Sequence, residues 1–207
     1  MRSASPSRPN SPRRTDAAMT DASDRYTSVA ITLHWVMAIA FFLMLGSGFA
    51  MAYGDLSQAL KFRMFQWHKS LGVLLLLTFA LRLGWRLFNR PPVLPPSLQG
   101  LQRLAAKGGH WLLYLCMIAL PVSGWVMVSA SVYGLPTIVF GWFEWPHIPG
   151  LAGDEAVSDG AKTAHFWLAL LFALAIAGHI GAVIKHFIVE RENFMARIWW
   201  TGKGTTR

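Results

Sequence analysis

Four of the seven histidines in this 207-residue chain, His34, His68, His165 and His179, fall where water should be scarce. The stretch AHFWLALLFALAIAGHIGAVIKH, residues 164–186, has no charge between Lys162 and Lys185, yet it holds His165, His179 and His186. An imidazole has two ring nitrogens that need partners, so burying it in hydrocarbon is costly unless something binds it. A single such ring is more often a structural hydrogen-bonding residue than a ligand, but the neutral ring is also a normal metal ligand, and four in depth-matched pairs point to that role. Spacing favours ligation. His165 and His179 are 14 residues apart, which in a helix is about 21 Å of rise and about 40° short of four full turns. Both rings then lie on one face at two depths.

The other two rings match those depths. His34 lies nine residues past Arg25 and His179 six before Lys185, which puts both on the order of 10 Å inside one membrane face. His68, five residues past Arg63, and His165, three past Lys162, form a second level near the opposite face. Two imidazoles per level, supplied by different helices, is the arrangement that axial ligation of a flat iron porphyrin requires. The expected pairs are His34 with His179 and His68 with His165. The single cysteine, Cys116, excludes an internal disulfide, a CxxC zinc site, an iron–sulfur cluster and a covalent CxxCH haem. Any redox metal must be held by nitrogen. A histidine-lined metal transporter would call for acidic partners inside the spans, and the spans hold none.

Other residues are candidates for supporting roles. Gly72 follows His68 by one turn, Gly178 and Gly181 flank His179, and Gly46 and Gly48 thin helix one, all leaving room for a planar ring. Lys69, His110 and His186 are candidate cofactor contacts, to a porphyrin propionate or a quinone head, while Arg82 marks a helix end and His147 is expected at the surface. None of these residues has the arrangement of a catalytic nucleophile or acid–base pair.

The elements that must position the rings follow from composition. The chain is 54% hydrophobic and only 14% charged, with mean hydropathy +0.38, a membrane protein's profile. Nearly charge-free segments cover Val29–Tyr53, Met64–Leu81, Gly109–Tyr133 and Thr163–Ile184, each about the ~20 residues that cross hydrocarbon once the second is extended toward Phe88. The fold expected is an all-α membrane protein, a four-transmembrane-helix bundle over residues 25–190, with helices near 27–53, 62–88, 108–132 and 161–188. Thr27 or Ser28 should cap the first helix, and Pro121 and Gly124 should kink the third.

Net charge is +9, and its distribution argues for topology rather than nucleic-acid binding. Fifteen of the 19 Lys and Arg residues lie at the termini or in 82–107, and only Lys61, Arg63, Lys69 and Lys162 lie elsewhere. That bias makes both termini cytoplasmic. Residues 1–24, rich in Ser, Pro and Arg, read as a disordered cytoplasmic tail without a signal-peptide core, and translation could start at Met19. Residues 191–207 read as a cytoplasmic segment with Trp199 and Trp200 at the interface, RPPVLPPSLQG as a non-helical cytoplasmic linker, and 134–160 as an aromatic outer connection, interfacial or briefly re-entrant.

RYTSVAITLHW, FQWHKSLG, RLGWRLFNRPPVLP, HWLLYLCMIALPVSGW and AHFWLALLFALAIAGHIGA, taken together, resemble the bacterial cytochrome b561 family over about residues 26–188. The resemblance implies an inner-membrane protein with two non-covalent haem b groups, and it too assigns His34 with His179 and His68 with His165. It implies electron transfer between ubiquinone and a second redox partner, with superoxide as a candidate outer donor. A haem-bearing anchor for a soluble hydrogenase or dehydrogenase is the alternative. Partners are then the bilayer, the quinone pool and a soluble or periplasmic redox protein, with no nucleic acid. Residues 134–160 depart most from the family pattern.

Overall fold

The computed structural model describes residues 25–94 and 98–200. The expected tail 1–24, the Met19 start and the last residues of the C-terminal segment lie outside them. Four helices dominate: α1 Ser28–Tyr53, α2 Gln58–Phe88, α3 Gly100–Ala130 and α4 Glu155–Ile188. All four are long and apolar enough to cross a membrane. The closest backbone packing joins α1 to α2 and α3 to α4, with α2 against α3 between the two hairpins. We call the end where α1 and α3 begin and α2 and α4 finish the terminal end, and the other the hairpin end.

The helices start where caps allow. Thr27 accepts a hydrogen bond from the Ala30 amide, Ser57 from Leu60 and Asp154 from Val157, each satisfying one of the unpaired donors of a first turn. α3 and α4 begin earlier than the hydropathy boundaries suggest, at Gly100 and Glu155. Nothing breaks a helix that leaves hydrocarbon, and the acidic Asp154 and Glu155 favour the positive end of the α4 dipole. Pro121 sits within α3 without ending it.

The connection between α3 and α4 differs most from expectation. Thr137–Val139 and Phe143–Trp145 form an antiparallel hairpin, with Thr137 opposite Trp145 and Val139 opposite Phe143. Phe140 (φ 48°) and Gly141 (φ 81°) make the turn. Irregular backbone at a membrane boundary leaves polar groups unpaired, and a hairpin satisfies them. It is stitched to the bundle as well: buried Ser70 accepts from the Phe140 amide at 3.1 Å and lies 3.0 Å from the Ile138 carbonyl, while Lys69 Nζ donates to the Pro136 carbonyl at 2.7 Å. On the other side Trp125 donates to Pro146 and Ser129 accepts from Ile148. His147, expected at the surface, is half-buried within this connection.

The terminal end is braced differently. Residues Phe194–Ile198 form a short 3-10 helix that returns beneath α1, where Trp35 donates to the Ile198 carbonyl at 2.8 Å. Glu190 takes Lys185 at 2.9 Å and His186 at 2.5 Å, and Gln102 of α3 reaches it at 3.3 Å. The hydrogen bonds from Lys185 and then His186 hold the Glu190 carboxyl below the usual carboxylate range.

The core lies midway between the ends. Met37, Phe41, Leu75, Phe79, Cys116, Leu120 and Phe172 form one buried cluster, with Phe41 and Phe172 edge to face at 4.8 Å. Phe172 is 2% exposed and falls seven residues from both His165 and His179. Truncating Phe172 to Ala should cost about 3–5 kcal/mol by leaving a cavity, whereas Leu174→Ala, at a lipid-facing position, should cost about 0.5 kcal/mol or less. Unfolding of the purified protein in detergent, followed by circular dichroism, compares the two.

Candidate haem-binding site

Three of the four helices supply the imidazoles. His34 projects from α1, His68 from α2, and His165 and His179 from α4. The His34 and His179 ring centroids are 6.5 Å apart, and those of His68 and His165 are 6.3 Å apart. An imidazole nitrogen holds a first-row metal at about 2.0–2.1 Å, so two rings on opposite sides of one ion have centroids roughly 6–6.5 Å apart. Both pairs therefore have the separation that an iron between them requires, and the donor set is the neutral nitrogen pair that haem iron takes. Among the described residues no three His, Cys, Asp or Glu side chains gather as they would around a bare metal ion. A porphyrin needs no such cluster, because it supplies the remaining ligands itself.

The rings at the hairpin-end level are tightly packed. His68 Nδ1 lies 2.9 Å from Ser47 Oγ of α1. His165 Nδ1 lies 3.0 Å from Ser123 Oγ and 3.1 Å from the Leu120 carbonyl, both of α3. The neighbouring glycines bring backbone against the same rings. A Cβ on Gly48 would stand 3.6 Å from His68 Cε1, and one on Gly124 would stand 3.3 Å from His165 Cε1. Gly124 also forms the floor under a ring. Gly72 faces Met44, whereas a Cβ on Gly46, Gly178 or Gly181 would meet nothing within 4 Å. Ser47 and Ser123 were not foreseen. The signal that could have found them is the Ser-Gly dipeptide at 47–48 and again at 123–124, once in each odd-numbered helix.

At the terminal-end level His110 of α3 joins the pair, 5.5 Å from His179 between ring centroids. Its Nδ1 meets the Ala106 carbonyl one turn back at 2.7 Å, which leaves Nε2 for another partner. His186 is committed at Nδ1 to Glu190 and packs on Phe194. Lys69 is committed to the hairpin through Pro136. Arg82 reaches across to the Ala30 carbonyl at 3.1 Å, tying α2 to α1 one turn from His34.

Two histidine pairs at two levels of a four-helix membrane bundle, with the bundle core between them, are the arrangement in which bundles hold a cofactor between facing helices, as a b-type cytochrome does. Comparison with known proteins agrees. The family described as "Prokaryotic cytochrome b561" matches residues 25–201, and the chain belongs to that family. It is 32% identical over 181 residues to cytochrome b561 homolog 2 of Escherichia coli (strain K12), covering 87% of this chain and 94% of the relative. It is 27% identical over 177 residues to the probable superoxide oxidase CybB of Yersinia pestis, covering 84% and 95%. Membership makes it a multi-pass protein of the bacterial inner membrane that works in electron transfer and implies haem b as its cofactor.

The glycine floor gives a direct test. Gly124→Ala should displace the His165 ring and lower the haem content of the purified protein, because a contact of 3.3 Å leaves a Cβ little room. Gly46→Ala, with nothing near, should leave haem content unchanged and favour the helix by up to about 1 kcal/mol. Haem-to-protein ratios measured on both variants decide it.

Proposed function

We propose that the chain holds two haem b groups and passes electrons between a donor at the hairpin end and ubiquinone. The observation that carries this reading is the pair of imidazole pairs, at 6.5 Å and 6.3 Å between centroids, separated by the buried Phe41–Phe172 core. His34 and His179 would hold one iron and His68 and His165 the other. When bound, haem b supplies a reversible one-electron ferric–ferrous couple. If both imidazoles of each pair held iron, no position there would remain for a substrate, and donors and acceptors would be served from outside the coordination shell.

The chain's own residues set the conditions for this transfer. The aliphatic and aromatic core keeps water out between the levels, so electrons cross without a proton path. The basic residues at the termini and in 82–107 make the terminal end cytoplasmic and the hairpin end outer. The similarity to a probable superoxide oxidase supports superoxide as the outer donor. Two superoxide anions would each yield one electron and leave as dioxygen, and one quinone would take two electrons and two protons to become quinol. Lys69, next to His68, places an ammonium group at the entry side. His110, exposed and beside His179, would face a quinone head or a haem propionate, with His186 behind it as part of the same boundary.

A reduced-minus-oxidised spectrum with haem quantitation tests the cofactor. Two six-coordinate b-type haems per chain are expected in the wild type. His179→Ala should remove one of them and His68→Ala the other, whereas a colourless wild-type protein would end the reading. Quinone reduction by the purified chain with superoxide tests the direction. If quinol forms only when a soluble dehydrogenase or hydrogenase is added, the chain is instead that enzyme's membrane anchor.

A further inference from the structure

The hydrogen bonds around the hairpin-end pair decide which nitrogen of each ring carries the proton. A serine hydroxyl has one hydrogen, and a carbonyl oxygen can only accept. Ser47 Oγ lies 3.0 Å from the Met44 carbonyl and Ser123 Oγ lies 2.8 Å from the Leu120 carbonyl. Each hydroxyl hydrogen is therefore directed back into its own helix, a common local bond for serine in a helix. The same oxygen must then accept from the imidazole, so Nδ1 of both His68 and His165 bears hydrogen. For His165 the Leu120 carbonyl, 3.1 Å from Nδ1, requires the same tautomer independently. In both rings the lone pair is left on Nε2.

The two halves of the bundle use the same device. In each, an odd-numbered helix offers Ser then Gly, the serine engaging Nδ1 and the glycine backing the ring, and the following even-numbered helix offers the histidine. A hydrogen bond that draws on Nδ1–H makes Nε2 a stronger donor to a metal and fixes the rotation of the ring. A stronger donor stabilises ferric over ferrous iron, which lowers the reduction potential.

We propose that Ser47 and Ser123 are matched positioning residues for the hairpin-end haem, fixing the Nδ1–H tautomer of His68 and His165 and holding that iron at a lower reduction potential than it would otherwise have. The inference rests on the reading that haem lies between these two rings. It carries an asymmetry. His165 keeps the Leu120 carbonyl as an acceptor when Ser123 is lost, whereas His68 has no second Nδ1 partner among the described residues. Ser47 therefore matters more than Ser123.

The test is potentiometric titration of the purified full-length haem protein, with haem content measured on the same samples. Ser47→Ala should retain two haems and shift one midpoint potential upward, Ser123→Ala should shift the same one by less, and the other should not move. Ser47→Thr, which keeps a hydroxyl, should restore the wild-type value. Should Ser47→Ala lose the haem, Ser47→Thr must retain it, and loss from both overturns the proposal. Unchanged potentials in Ser47→Ala with both haems in place overturn it too, as does a Ser123→Ala shift that equals or exceeds that of Ser47→Ala. A different result, both haems surviving His68→Ala, would instead sink the assignment of haem to this pair and leave the serine bonds as helix packing.

Discussion

Everything in this bundle answers to the cost of placing an imidazole in hydrocarbon. Each ring has two polar nitrogens, and neither can turn to water at membrane depth. At the hairpin-end level the solution is explicit: Nδ1 goes to a serine hydroxyl on the neighbouring helix, and the partner ring stands 6.3 Å away between centroids. The close approach that this needs is what the adjacent glycines allow. The pairing of α1 with α2 and of α3 with α4, the closest in the bundle, brings each Ser-Gly cradle to its histidine. Packing and ligand geometry are thus one constraint, met twice.

One seven-residue interval recurs between each histidine level and the core that separates the two. Phe41 follows His34 by seven residues, Leu75 follows His68 by seven, and Phe172 lies seven from both histidines of α4. Seven residues are about two turns, so the same helix faces that carry imidazoles at the ends carry core side chains about 10 Å further in. Those three residues meet in the buried cluster with Cys116 and Leu120. The result is an apolar septum between two polar levels, which under the proposed function electrons would cross and hydrated protons would not. It explains why a buried cysteine is compatible with a redox protein here: Cys116 is 0% exposed and serves as a small apolar filler.

The parts of this arrangement visible in the sequence are those with a period or a depth. The 14-residue interval on α4 and the distances of four histidines from flanking charges suffice to pair the rings, because a membrane turns sequence position into depth. Residues acting sideways between helices were not visible. Ser47 and Ser123 look like the small residues of any membrane helix contact, and only the rotation of each helix about its axis shows that they meet a ring. The hairpin was missed for a different reason. Strands of three residues within a run of aromatics carry no usable alternation, and the seam to Ser70 and Lys69 lies 67 to 70 positions away. The early starts of α3 and α4 escaped because hydropathy locates hydrocarbon, not helix ends.

Under the proposed function the two ends meet different demands, an electron donor at one and a proton-coupled acceptor at the other. At the hairpin end, the connection from Pro136 to Ile148 is bonded to α2 and α3, and both His68 and His165 have Nδ1 committed within protein. A one-electron donor such as superoxide asks nothing more of that end than a short path to the ring edge. Quinone reduction would ask for protons as well, and the terminal end offers His110 beside His179, with the Lys185, His186 and Glu190 cluster beyond it. The Glu190 carboxyl, held low by its two donors, stays charged through the neutral range and keeps that boundary polar. Under the proposed function, the septum makes this division necessary. If protons cannot cross with the electrons, they must be taken up on the side where quinol forms, and His110, His186 and Glu190 stand on that side.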